Sequence, residues 1–199
     1  MDDLNNRFNA DAYTIRRKVL KLVGGAFHIY DPEGQLLLYS KQKAFKLKED
    51  IRLFTGEDMT DEILCISARN VIDFSAGYDV HDSRTGEFIG TLYRRGFKSM
   101  IRDEWEVADE DGRSVATIRE DSTVSALVRR FIKIAALIMP QKYHIEVDGR
   151  TRGMFHQNKN PFVFKMDVDL SMDPDREFDR RLGVAAGLLL TAIEGRQNS

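Results

Sequence analysis

An apolar run close to the end of the sequence constrains the fold more than any other feature. It extends from Leu182 to Ile193 without a charged residue, and Arg180, Arg181 and Glu194 flank it. As a helix, a run of about twelve residues spans ~18 Å, because each residue adds about 1.5 Å. The hydrocarbon core of a bilayer is ~30 Å thick. The run is therefore too short for a membrane span, and the sequence predicts a helix in the core of a soluble fold.

The pattern within this run predicts a helix that is buried on every side. Its larger side chains do not fall on one stripe of the helix surface; they are Leu182, Val184, Leu188, Leu189 and Ile193. Small residues between them let a surrounding wall approach closely; these are Gly183, Ala185, Ala186, Gly187 and Ala192. Asp173 is a suitable N-cap and Pro174 suits the first helical position, so we expect the helix at about 174–194.

From Tyr13 to about Leu170, short alternating stretches separated by turn residues predict antiparallel hairpins. The clearest turn is Asp31-Pro32-Glu33-Gly34, and Asp/Gly turns recur at 81–86, 109–112 and 148–149. These stretches amount to about a dozen strands, and a sheet of that size closes or curls instead of staying flat. A barrel of more than eight strands has room for a helix. The sequence predicts a mainly β (α+β) fold, a closed and roughly twelve-stranded antiparallel barrel that encloses the C-terminal helix.

The extent of the alternating pattern and of the C-terminal helix also predicts the domain organisation. Residues 1–12 are expected to be a polar N-terminal tail, and 13–196 a single barrel domain, because no linker rich in Pro, Gly or Ser divides them. A second helix is predicted to begin at Asp121 or Ser122 and to reach about Phe131, where apolar residues recur at helical spacing.

Three segments carry a resemblance to a known family. They read YTIRRKVLKLVGGAFHIYDPEGQLLLYSKQKAFKLKEDIRLF at 13–54, IGTLYRRGFKSMIRDEWEVADEDG at 89–112, and NKNPFVFKMDVDLSMDPDREFDRRLGVAAGLLLTAIEG at 158–195. With these, the chain resembles the LURP-one-related proteins, in the superfamily of the tubby C-terminal domain and the phospholipid scramblases. The resemblance implies a twelve-stranded barrel around a central C-terminal helix. It implies little about activity, because most members of this branch have no assigned biochemistry and a fold does not determine a function.

Composition narrows the location and the partners. The formal net charge is −2, so no overall positive field favours nucleic acid, and no nucleic-acid partner is expected. The single cysteine, Cys65, excludes an internal disulfide. The polar start of the sequence lacks the apolar region of a secretory signal, and neither end carries a lipidation motif. The sequence predicts a cytoplasmic protein, with peripheral association with a membrane left open.

Motifs for catalysis, cofactors or metals are missing from the sequence. It contains neither a dinucleotide fingerprint nor a phosphate-binding loop, and no nucleophile elbow. The four histidines, at 28, 81, 144 and 156, lack zinc-site spacing. The acidic stretches at 109–120 and 167–175 lack the glycine and the ligands of a calcium loop. We expect no enzyme, cofactor or metal, although an active site assembled from several strands would escape a motif search.

Clusters of basic residues are the remaining candidates for a site. The residues selected as ligands for an anionic group are Lys41, Lys43, Arg94, Arg95 and Lys98. One interpretation is a solvated barrel exterior with lysines that protect strand edges. The other is a patch that makes charge-assisted hydrogen bonds to phosphates, as the resemblance implies, since the tubby domain binds phosphoinositide headgroups through basic residues.

The predicted function follows from the second interpretation. The chain is expected to be a non-catalytic binding or membrane-tethering module that recognises anionic phospholipid headgroups or other phosphate ligands. The alternative is a regulatory module that binds a protein partner, in which case the basic clusters only solvate the barrel.

Overall fold

Short antiparallel strands form the wall of the molecule. The computed structural model of the protein describes residues 6–20, 24–42, 50–69, 77–95, 104–121, 141–159 and 164–197. The helix predicted from Asp121 or Ser122 to Phe131 lies outside these residues except at its first position. The strands are β1 (Ala12–Leu20), β2 (Gly24–Tyr30), β3 (Leu36–Gln42), β4 (Ile51–Phe54), β5 (Glu62–Ala68), β6 (Gly77–Asp82), β7 (Phe88–Arg95), β8 (Glu104–Ala108), β9 (Ser114–Glu120), β10 (Lys142–Val147), β11 (Arg150–Lys159) and β12 (Phe164–Asp169).

The twelve strands close into a barrel. Each strand pairs with its neighbours in sequence, and β1 pairs with β12 to complete the ring. The turn predicted at Asp31 to Gly34 joins β2 to β3: Gly34 donates its N–H to the Asp31 carbonyl over 3.1 Å and has a φ of +84°, which glycine adopts without strain. The predicted closed, twelve-stranded antiparallel barrel with a C-terminal helix is confirmed.

The strand directions define two rims. Because neighbouring strands are antiparallel, all odd-numbered strands end at one rim, which we call the upper rim. The even-numbered strands end at the lower rim, where the connections at 31–35, 55–61, 83–87, 109–113 and 148–149 lie. The segment 170–179 also follows an even-numbered strand, β12, and leads from the lower rim into the helix.

Helix α1 (Arg180–Gln197) begins six residues later than the sequence pattern predicts. Asp173 is fully buried, and its carboxylate accepts the N–H groups of Glu177 and Phe178 and a hydrogen bond from Arg180. Asp173 therefore organises the turn before the helix. The N-cap is Asp179, whose carboxylate accepts the N–H of Arg181 over 2.8 Å.

The helix fills the barrel as expected from its composition. The side chains from Leu182 to Ala192 are almost completely buried. A Cβ atom at Gly187 would lie 2.9 Å from both Ile15 Cδ1 and Val168 Cγ2, so the small residue is what lets the wall approach. Among the residues that the structure describes, no helix has the length and apolarity needed to cross a membrane.

Candidate functional site

The five residues predicted as anion ligands are not all within the described residues. Lys43 and Lys98 lie outside them. Lys41 is exposed near the end of β3, on the outer face of the barrel. Arg94 is opposite Trp105, whose side chain is buried inside the barrel, so Arg94 is on the inner face of β7. Arg95, the next residue, is on the outer face.

The structure does not bring the described members together. Three strands, β4 to β6, separate Lys41 from Arg95. At a spacing of about 4.8 Å between neighbouring strands, the two residues are ~19 Å apart along the wall. Arg94 and Arg95 are adjacent in sequence but occupy opposite faces of one strand. Lys41, Arg94 and Arg95 therefore do not line one surface.

Outer arginines from β4 to β9 are paired with carboxylates on neighbouring strands. The pairs are Arg52–Glu62, Arg69–Asp79, Arg95–Glu106 and Arg119–Glu146. The hydrogen bond that Arg52 donates to Glu62 raises the pKa of Arg52, and the hydrogen bond to Asp79 has the same effect on Arg69. We call this region the paired face. Its charges neutralise one another, which leaves little attraction for an anion.

The outer side of β1, β2 and β3 is different. Arg16 is opposite His28, which is opposite Tyr39, so the three form one row across the strands. The guanidinium of Arg16 lies over the ring of Tyr30, 5.1 Å from its centroid. Lys41 lies two residues beyond Tyr39 on the same face of β3. We call these residues, Arg16, His28, Tyr30, Tyr39 and Lys41, the basic face.

The cations of the basic face have no carboxylate partner among the described residues. Glu57, which reaches this face from the β4–β5 connection, binds His28 instead, with 2.7 Å between Oε1 and Nε2. The His28 ring is buried and packs edge-on against Tyr39. Arg16 and Lys41 are both exposed. Two exposed cations on one outer face, one of which lies over a tyrosine ring, form a surface that can bind an anionic group by charge-assisted hydrogen bonds.

Sequence reasoning selected Lys41 but missed Arg16 and its aromatic neighbours. The alternation in Tyr13 to Arg17 was enough to place Arg16 on the outer side, and the short β1–β2 connection was enough to place it beside His28. Density of positive charge along the sequence favoured the segment around Arg94 and Arg95 instead. That measure cannot detect carboxylates on neighbouring strands.

Comparison with known proteins gives one match. A family model described as LURP-one-related matches residues 36–190, more than half of the chain. No curated protein and no solved structure matches the chain. The matched range extends from the start of β3 into α1, so it includes Lys41. It begins after β1 and β2, which supply Arg16, His28 and Tyr30.

Proposed function

The chain belongs to the LURP-one-related family, and from this premise we propose that it is a non-catalytic, tubby-like binding module. Its basic face binds the phosphates of anionic lipid headgroups and so holds the protein at a membrane surface in the cytoplasm. The observation that carries the proposal is the contrast between Arg16 and Lys41, which have no carboxylate partner in the described part of the chain, and the arginines of the paired face.

Physical chemistry supports this assignment. A cation near an anionic membrane surface gains ~1 kcal/mol, provided that no carboxylate neutralises it. Tyrosine rings are favourable at such a surface because one end is apolar and the other is hydrated. Tyr30, which is partly exposed, supplies such a ring beside Arg16. Lys43, which follows Gln42 directly in the sequence, is included in the proposal as a further cation.

Co-sedimentation with liposomes tests the proposal. The full chain is mixed with phosphatidylcholine vesicles, with and without phosphatidylserine, over a series of salt concentrations. The double variant Arg16→Gln/Lys41→Gln is compared with Arg52→Gln/Arg95→Gln, which removes the same charge from the paired face. Binding to anionic vesicles is expected to weaken with salt. It should fall roughly 30-fold in the first variant, the equivalent of ~2 kcal/mol, and little in the second.

Each other outcome contradicts a defined part of the proposal. Equal losses in both variants would mean that net charge and not the basic face determines binding. Loss only in Arg94→Gln/Arg95→Gln/Lys98→Gln would move the site to the cluster on and after β7. If the wild-type chain does not bind anionic vesicles at low salt, the lipid proposal is wrong. The alternative, a regulatory module that binds a protein partner, then remains.

A further inference from the structure

A carboxylate from the β4–β5 connection lies on the basic face. Glu57 extends from this connection over the outer side of β2, and its Oε1 lies 2.7 Å from His28 Nε2. Burial and the nearby Glu57 carboxylate raise the pKa of Tyr39, so the same negative charge also acts on β3. Among the described residues, no other carboxylate forms a hydrogen bond or an ion pair with the side chains of this face.

The chemistry of this contact determines the role of His28. A carboxylate accepts hydrogen bonds and has none to donate, so the shared proton is on Nε2 of His28. The other ring nitrogen, Nδ1, is buried and has no partner among the described residues. His28 therefore directs one N–H donor towards the outer side of the barrel, where an anionic oxygen accepts it.

The contact lies at the protein surface although the histidine ring is buried. The side chain of His28 is 4% exposed, whereas that of Glu57 is 63% exposed. A largely hydrated carboxylate therefore covers Nε2, and rotation about the side-chain bonds of Glu57 uncovers this donor. Water and salt compete for so exposed a carboxylate, so its attraction to His28 is weak. Another anion can therefore replace Glu57.

The β4–β5 connection has other contacts that hold its shape. The Thr55 N–H donates to the Asp61 carbonyl over 3.0 Å, which joins the two ends of the connection. Within the connection, the Met59 N–H donates to the Gly56 carbonyl over 3.1 Å. The side chain of Glu57 can therefore leave the histidine while the backbone of the connection stays in place.

The two cations of the basic face are on either side of this donor. Arg16 on β1 is directly opposite His28, at about 5 Å between Cβ atoms. Lys41 on β3 is opposite Ala26, which makes it a diagonal neighbour of His28 at about 7–8 Å. Both cationic side chains are long enough to span these separations. One oxygen of a phosphate can accept the His28 N–H while its other oxygens face the two cations.

We propose that the Glu57 carboxylate occupies the position of the ligand's phosphate on the basic face, and that a phosphate displaces it from His28 on binding. The inference rests on the proposed function, because it uses the same face, and it adds the His28 donor to the two cations. Glu57 acts as a built-in competitor that selects among anions. A phosphate monoester has three acceptor oxygens and a charge of about −1.5 to −2 at pH 7, and so gains more from the cations than a simple carboxylate does.

Co-sedimentation of the full chain with phosphatidylcholine vesicles that contain phosphatidic acid tests the displacement. Glu57→Gln keeps the length of the side chain and removes the competing charge, so binding should strengthen roughly fivefold. Asp58→Asn is the matched control. It removes the same charge from the next residue, whose carboxylate accepts a hydrogen bond from Thr60 within the connection, and it should change binding little. His28→Phe, which keeps an aromatic ring and removes the donor, should cancel the gain of Glu57→Gln when the two are combined.

Nitrogen-15 NMR of the histidine rings gives a second measurement that needs no membrane. Inorganic phosphate is expected to shift the Nε2 resonance of His28 saturably, and at a lower concentration in Glu57→Gln than in the wild type. Acetate at the same ionic strength should leave this resonance unchanged. A response to phosphate together with stronger vesicle binding in Glu57→Gln identifies a lipid headgroup as the ligand. A response to phosphate alone identifies a free phosphate compound.

Failure of the inference is distinguishable from failure of the proposed function. The inference alone is wrong if the wild type binds anionic vesicles, Glu57→Gln and Asp58→Asn change that binding equally, and phosphate does not shift the His28 resonance. Both are wrong if neither the wild type nor Glu57→Gln binds anionic vesicles and phosphate again has no effect on His28. If His28→Phe does not fold, the comparison of Glu57→Gln with Asp58→Asn still decides.

Discussion

Two groups of buried polar side chains in the barrel interior differ in how far they are hydrogen-bonded. At the lower rim, the two terminal nitrogens of Arg180 donate to five acceptors, the carboxylates of Asp173 and Asp11 and three backbone carbonyls, while its Nε has no partner among the described residues. Asp173 in turn accepts two backbone N–H groups. At the upper rim, Gln157 and Ser40 are buried just as deeply, yet their side chains have no partner among the described residues.

This difference separates groups that stabilise the fold from groups whose burial costs stability. The hydrogen bonds around Asp173 fix the point at which the chain leaves β12 and enters the barrel as a helix. Removing them must therefore destabilise the protein. The unpartnered groups at the upper rim contribute nothing comparable to stability.

Breaking the lower network should have the largest effect on stability. Asp173→Asn removes the buried carboxylate that pairs with Arg180, which is itself only 4% exposed, and leaves Arg180 only the exposed carboxylate of Asp11. Leaving one member of a buried ion pair without its partner costs about 3–5 kcal/mol. Urea unfolding followed by circular dichroism measures the change. Asp175→Asn, an exposed position two residues away, is the control and should change the free energy of unfolding by no more than about 0.5 kcal/mol.

Acidification should weaken the same network. Burial alone would raise the pKa of Asp173, but the N–H groups of Phe178 and Glu177 and the Arg180 guanidinium outweigh it and hold that pKa below its usual value. A carboxyl whose pKa is lower in the folded state adds stability at neutral pH, and this is lost as the pH falls below about 3.9. Urea unfolding at several pH values should show a smaller acid-induced loss in Asp173→Asn than in the wild type. Equal losses would assign the effect to other carboxyls, such as Asp82, whose pKa is also lowered.

Most of the fold could be predicted because its signals are local. Alternation marked the strands, Asp/Gly pairs marked the lower-rim turns, and the length of the apolar run placed the helix inside the barrel. The start of the helix was wrong for a physical reason. Asp173 followed by Pro174 is a common helix start. However, Asp173 accepts a hydrogen bond from Arg180 and lies near Arg152, and the local sequence does not reveal either partner.

The candidate site was less predictable because it depends on pairing between strands. Arg94 and Arg95 are neighbours in the sequence, but consecutive residues of a strand face opposite sides of the sheet. Glu106, which neutralises Arg95, belongs to the next strand and is visible only once the register is known. Lys43 and Lys98 lie outside the described residues, so their part in the site stays a prediction.

At the upper rim, removing an unpartnered group should stabilise the protein. Gln157→Met takes away a buried amide without partners and is expected to raise the free energy of unfolding by about 1–3 kcal/mol. Thr191→Val, at a buried position of the helix, is the control. Its hydroxyl is hydrogen-bonded, so the variant should lose about 0.5–1.5 kcal/mol. Urea unfolding measures the change in the free energy of unfolding for both variants. A loss of stability in Gln157→Met would mean that the amide is structural.

The smallest effects on stability are expected on the outer surface. There the arginines of the paired face have carboxylate partners, whereas the cations of the basic face have none among the described residues. Arg52→Gln breaks ion pairs with Glu62 and Asp50, and exposed pairs of this kind contribute about 0.2–1 kcal/mol. Lys41→Gln removes a cation without a described carboxylate partner, so the free energy of unfolding should not fall. Urea unfolding at low and high salt measures both variants, and salt should reduce the loss in Arg52→Gln because it screens exposed charges. If Lys41→Gln destabilised the protein as much as Arg52→Gln does, Lys41 would be a structural cation, and the basic face would lose one of its two ligands for an anion.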